Sequence, residues 1–246
     1  MNNSLIVRNK NAIKELLVAG VKFEKIQIVV DLKQDLLTQE IVVAAKKAMV
    51  PVEMCTYDKM PKRREGGSRE VIVGYLAPIT EWKLDDLIAD LYRKNQVPFF
   101  VLANRVEFEN NIGIIARTAF ASGVNGFIFQ RETDEVINNE TIQYSVGSIA
   151  RIPLVKLSIF EALKILKRNN IKTLSLQMTG VPYYQEDLSG AVALVLGGEA
   201  KGISNEVLNK CDGAISIPMK SGIDSLNVGI SAGIVMYEKV RQEMVK

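Results

Sequence analysis

Residues 192–204 read VALVLGGEAKGIS: five apolar residues run straight into two glycines, a carboxylate and a further glycine. An apolar run of that length without alternation is how a strand buried on both faces reads. FFVLA (99–103), GFIF (126–129), TLSL (173–176) and AISIP (214–218) have the same character, and helical stretches separate them. Buried strands alternating with helices predict a parallel sheet covered on both faces, an α/β domain. One helix start is well marked, because Ser158 and Glu161 form an S-x-x-E capping box ahead of an apolar stripe.

Upstream of Phe99 the elements are shorter. Apolar residues at helical spacing (Ile13, Leu16, Leu17) lead to Gly20 as a C-cap, and IQIVVD (26–31) follows as a strand. The order repeats with LLTQEIVVAAKKAM (36–49), VEMCT (52–56) and EVIVGYL (70–76), and a last helix, DDLIADLYRKN (85–95), ends before Val97 and Pro98. The expected division is therefore a small α/β domain over 1–95 and a larger parallel domain over 96–246. Between VEMCT and EVIVGYL, KMPKRREGGSR (59–69) has no apolar periodicity and reads as an exposed basic loop. Lys59, Lys62, Arg63, Arg64 and Arg69 either face solvent as an ordinary charged turn or contact nucleic-acid phosphates. Charge favours the second use. Residues 1–95 carry 16 Lys+Arg against 13 Asp+Glu, residues 96–246 carry 15 of each, and so the whole net charge of +3 lies in the first part.

Composition excludes several chemistries. The chain has no histidine, which removes Ser-His and Cys-His nucleophile pairs and the commonest metal ligand. Its two cysteines, Cys55 and Cys211, lie far apart without metal-ligand spacing, so no metal site and no disulfide are expected. No G-x-G-x-x-G follows a strand and no Walker loop is present. No apolar run approaches the roughly 18 residues of a membrane span, and the start lacks a signal-peptide pattern, so a cytoplasmic protein without membrane association is expected.

In open parallel sheets ligands collect at the carboxyl ends of strands. Three loops there hold candidate residues. After FFVLA, Asn111 and Gly113 precede a helix whose Arg117 is flanked by Ile114, Ile115, Ala116, Ala119 and Phe120; a cation on such a face needs a partner, either substrate or a tethering carboxylate. After VALVL, Gly197 and Gly198 permit close backbone approach, and Glu199 can accept hydrogen bonds, although a glycine turn with a surface glutamate reads the same way. After AISIPM, Ser225 and Asn227 open the last helix; Ser225 serves as its N-cap, and GISAG (229–233) lets that helix pack closely on a neighbour.

Together and in this order, NNIGIIARTAFASGV (110–124), LVLGGEAKGIS (194–204) and IPMKSGIDSLNVGISAGIVMYE (217–238) resemble the three motifs of the SPOUT superfamily of methyltransferases, in its TrmH/SpoU branch. The resemblance spans residues 97–246. It implies a trefoil knot in the carboxyl-terminal domain, a rare exception to unthreaded folding. It also implies S-adenosyl-L-methionine bound there by Gly197, Gly198 and Glu199, by Ile217, Pro218 and Met219, and by Ser225, Leu226 and Asn227. A homodimer follows from it, with Arg117 reaching the partner's cofactor, and Arg117, Asn111 and Asn227 as the residues acting at the reacting ribose. The amino-terminal part is similar to the small α/β RNA-binding domain that precedes the catalytic domain in many members, the thiostrepton-resistance rRNA methyltransferase among them.

The implied activity is RNA ribose 2′-O-methylation of structured RNA, with 23S rRNA favoured over tRNA. A tRNA ribose methyltransferase and a non-catalytic RNA-binding knot protein are the alternatives. Phe108 and Glu109 stand where many relatives have Asp-Pro, a difference that bears on the local turn.

Overall fold

The computed structural model describes residues 5–30, 35–62, 70–198, 202–220, 222 and 225–245. They fall into two compact units, one of residues up to Ile79 with Asn138–Arg151, the other of Thr80–Ile137 with Ile152 onward.

The first unit carries β1 (Leu5–Val7), α1 (Lys10–Val18), β2 (Phe23–Val29), α2 (Leu36–Lys47), β3 (Val52–Cys55) and β4 (Ile72–Leu76). Its sheet has the order β1-β4-β2-β3, with β4 antiparallel to both neighbours and β2 parallel to β3. Asn9 caps α1 through the Ala12 N–H at 3.1 Å, and Gly20 ends it in the left-handed region at φ 76°. Asp35 caps α2.

In the second unit come α3 (Leu84–Arg93), β5 (Phe99–Asn104), α4 (Glu109–Ala121), β6 (Gly126–Phe129) and α5 (Thr133–Val136). After an excursion through α6 (Asn139–Ser145), which belongs to the first unit, the chain continues with β7 (Leu154–Lys156), α7 (Ile159–Arg168), β8 (Lys172–Gln177) and β9 (Val181–Pro182). It closes with β10 (Val192–Gly197), α8 (Asn205–Leu208), β11 (Gly213–Ser216) and α9 (Val228–Met244). These strands form one seven-stranded sheet, order β7-β6-β5-β10-β8-β11-β9, in which every described pairing is parallel. All six residues of β5 are buried. On one face Phe100, Leu102, Ala193 and Val195 pack with Leu87, Leu91, Leu163 and Leu166 of α3 and α7. α9 packs on β10 and α4. The Ser158 hydroxyl accepts the Glu161 N–H at 3.3 Å, the forward half of the capping box read from the sequence.

The division differs from that expected at 95/96 in two places. α3 lies in the second unit, because Leu84, Leu87, Ile88 and Leu91 complete its core. Residues 138–151 lie in the first: the Asn139 side chain accepts the Ile6 N–H at 2.7 Å, and a Cβ on Gly147 would sit 2.8 Å from Leu16 Cδ1.

Candidate active site

Three consecutive strands of the sheet, β10, β8 and β11, end around one pocket of about 850 Å³. Its walls come from Leu176–Thr179 after β8, from Leu196, Gly197 and Gly198 with Gly202 and Ile203 after β10, and from Ile217 and Met219 after β11. Ser225, Leu226, Asn227, Val228 and Ser231 at the start of α9 close it. The volume lies within the roughly 300–1,000 Å³ of small-molecule sites. No charged side chain contributes among the described residues.

Glycine shapes two crossings at this edge. A Cβ on Gly198 would lie 1.9 Å from the Arg105 carbonyl oxygen, and one on Gly197 would lie 2.7 Å from the Gly202 carbonyl carbon, so both positions exclude any larger residue. Both glycines therefore serve the passage of one chain segment against another as well as ligand approach. Similarly, a Cβ on Gly180 would meet the Ala214 carbonyl oxygen at 2.6 Å, and the Ser216 hydroxyl donates to the Gly180 carbonyl at 3.1 Å. These contacts hold the segment after β8 against β11.

The asparagines meet across the pocket edge. Asn227 Nδ2 donates to Asn111 Oδ1 at 2.8 Å, while Asn227 Oδ1 accepts the Gly229 N–H at 2.9 Å and the Ile230 N–H at 3.4 Å. Asn227, not the expected Ser225, is thus the N-cap of α9. Ser225 lines the pocket instead. Asn111 and Gly113 are both buried inside α4 rather than ahead of it.

Arg117 is exposed on the outer side of α4, which corrects the expectation of a cation held on a buried apolar face. Residues Asn110, Ile114, Arg117 and Ala121 recur at helical spacing and all are exposed. Arg117 has no hydrogen bond or ion pair among the described residues and does not line the pocket of its own chain. On the neighbouring helix, Ile230 and Tyr237 are exposed and Ile234 half-buried, an outward apolar stripe beside Arg117's.

Of the remaining candidates, Gly197, Gly198, Ile217, Met219, Leu226 and Asn227 border the pocket, and Pro218 lies between two lining residues without lining it. Glu199 is outside the described residues, as are Arg63, Arg64 and Arg69. Lys59 and Lys62 are exposed in the first unit, with Met60 between them fully buried against Val29 and Val73. Leu176–Thr179, Ile203 and Ser231 were not singled out from the sequence, although the strand-end rule applied to TLSL points to the first four.

Residues 98–237 match the family described as SpoU rRNA methylase. The chain belongs to that family. Among curated SpoU-type relatives, YacO of Bacillus subtilis, named for the TrmH family of tRNA/rRNA methyltransferases, is 28% identical over 96% of this chain and 95% of its own length. The 23S rRNA (guanosine-2′-O-)-methyltransferase RlmB of Escherichia coli is 27% identical over 78% of this chain and 80% of its own. In fold the methylase is similar to the SpoU methyltransferase AviRb of Streptomyces viridochromogenes, solved with AdoMet: the TM-score is 0.79, with 23% identity, covering 99% of this chain and 92% of that one.

Among the described residues no helix is long and apolar enough to cross a membrane, and no group of three or more acidic or cysteine side chains could hold a metal ion.

Proposed function

We infer that this methylase transfers a methyl group from S-adenosylmethionine to a ribose 2′-oxygen of rRNA, and that it works as a homodimer. The carrying observation is that the family match spans the neutral pocket where the β10, β8 and β11 ends and the α9 start converge. That pocket suits the donor: Leu176, Ile203, Met219 and Leu226 offer an apolar surface for a purine, and Gln177, Thr179, Ser225 and Ser231 offer neutral polar groups for a ribose and an amino acid. S-adenosylmethionine, when bound, supplies a methyl group on a sulfonium sulfur, open to in-line displacement by oxygen.

The chain's part is positioning and charge. Fixing a nucleophile in line can lower a barrier by roughly 7–11 kcal/mol in favourable cases. Asn227, tied to Asn111 and capping α9, is a fixed amide at the mouth of the pocket. Arg117 remains protonated in any protein environment, so it acts by clamping the RNA phosphate and stabilising negative charge that develops on the 2′-oxygen. With no histidine in the chain and no carboxylate or lysine among the described lining, the hydroxyl proton leaves to solvent or to an RNA phosphate.

Arg117 sits on an exposed face beside the apolar stripe of Ile230, Ile234 and Tyr237, and an outward stripe of that kind marks a surface for burial. Covering it with a second copy brings Arg117 to the partner's pocket. The close crossings at Gly198 and Gly180 support the trefoil knot that the family resemblance implies. In the first unit, Lys59 and Lys62, with Arg63, Arg64 and Arg69, make that unit the RNA-binding domain. The relative named for both tRNA and rRNA keeps tRNA as a second reading.

Arg117→Ala is expected to lose at least 100-fold in methyl transfer, with S-adenosylmethionine affinity by calorimetry unchanged. Leu226→Arg, which puts a charge into the pocket, is inactive for a different reason. Mixing the two variants forms dimers with one complete site, and transfer returns to about a quarter of the wild-type level. Full activity of Arg117→Ala refutes its role, and no recovery on mixing refutes action across a dimer.

A further inference from the structure

Beside the donor pocket, at the carboxyl ends of β5 and β6, lies a second cavity of about 250 Å³. Val106, Ile112, Phe129 and Val136, all buried, make its floor. Arg105, Glu107, Gln130 and Arg131 make its rim. Arg131 is already engaged, with Nε at 3.3 Å from Glu135 Oε2 and Nη1 donating to the Glu107 carbonyl at 3.3 Å. The side chains of Arg105, Glu107 and Gln130 are exposed and have no hydrogen bond or ion pair among the described residues. An apolar floor under a few unengaged polar groups is the usual make-up of a ligand site.

Two features join this cavity to the donor pocket. Arg105 adopts φ +61°, a left-handed conformation uncommon for a long side chain. Its carbonyl lies against Gly198, a lining residue of the donor pocket, so the same crossing that shapes one cavity fixes the rim of the other. In α4, Ile112 belongs to the floor, while the preceding Asn111 bonds to Asn227 at the donor pocket. The cavities therefore lie on two sides of one wall.

We propose that the second cavity receives the base of the nucleotide whose ribose is methylated, and that the base is guanine. This rests on the reading of the protein as a ribose methyltransferase. A flat apolar floor with an aromatic ring suits a base lifted out of a strand. The rim decides which base. Guanine presents two N–H donors, on N1 and N2, beside the acceptors O6 and N7. A carboxylate (Glu107) accepts from the donors, and a guanidinium (Arg105) donates to the acceptors. Adenine offers an amino group where guanine has O6, so the Arg105 cation would face a donor. Cytosine and uracil have no second ring to cover the floor.

The test uses the full-length protein, rRNA purified from cells lacking the gene, and S-adenosylmethionine labelled in its methyl group. The rRNA is digested to nucleosides and the label located by chromatography. The expected label is in 2′-O-methylguanosine. Glu107→Gln, a surface replacement of equal size, is expected to lower kcat/KM by about 10- to 100-fold. Its affinity for S-adenosylmethionine stays at the wild-type value by calorimetry. Label in another 2′-O-methylnucleoside, or a wild-type rate for Glu107→Gln, overturns the base site and leaves the methyltransferase reading standing. No label at all overturns both.

Discussion

Cys211, half-buried between α8 and β11, donates its thiol to the Val207 carbonyl at 3.4 Å. Burial, with adjacent Asp212 second, pushes that thiol up to about 11. Two outcomes follow. At pH 8 Cys211 carries about 100-fold less thiolate than an unperturbed cysteine, and iodoacetamide labelling followed by mass spectrometry should find it correspondingly slow. Because the folded value lies above the unfolded 9.0, Cys211 favours the native state fully below pH 9 and loses that contribution as pH rises toward 11. Urea midpoints at pH 8 and pH 10 should fall less in Cys211→Ala than in the wild type; an equal fall contradicts the assignment. At this scale the sequence was a partial guide. The residue types around the pocket were legible because glycine, serine and asparagine at strand ends have few other uses. Arg117's surroundings were not: Ile115, Ala116 and Ala119 face the core, while Ile114 beside Arg117 faces out. Apolar neighbours in sequence do not distinguish a core from a face awaiting a partner. The cap of α9 was misplaced by two residues, since Ser225 and Asn227 have equal capping propensity and only the bond to Asn111 selects one.

Helix α9 owes its approach to α4 to two glycines with different surroundings. A Cβ on Gly229 would lie 2.8 Å from Ile114 Cγ2, whereas one on Gly233 would lie 3.5 Å from Thr118 Cγ2, ordinary contact. Gly229→Val is thus expected to cost about 2 kcal/mol by overpacking. Gly233→Ala is expected to stabilise by about 0.5 kcal/mol, because alanine loses less entropy in a helix. Chemical unfolding of both variants checks the pair, and stabilisation by both would show that the helices are not in close contact at Gly229. The longer elements could be read from the sequence because six-residue strands such as β5 are buried throughout and their apolar runs are unbroken. β1, β7 and β9, of three, three and two residues, leave too short a pattern to read. Met60 was read as part of a basic loop, yet it anchors that loop to Val29 and Val73, a contact that no local period announces.

Across the whole molecule, what escaped the sequence was long-range. Residues 138–151 join the first unit through Asn139 and Gly147, whose partners lie more than a hundred residues away. α3 joins the second because its apolar stripe fits the face formed by Phe100 and Leu102. The same distance dependence governs the site, where Asn111 and Asn227, 116 residues apart, are brought to one hydrogen bond by the packing of α4 on α9. Those contacts support a single claim: the strand-end pocket holds a methyl donor beside the ribose of an RNA strand. The most direct measurement incubates the protein with rRNA from cells lacking the gene and S-adenosylmethionine labelled in the methyl group, then hydrolyses the RNA with alkali. A 2′-O-methyl removes the hydroxyl that attacks the neighbouring phosphate, so the account predicts label in alkali-resistant dinucleotides. Label released in mononucleotides, as a methylated base would give, or no label in RNA, would contradict it.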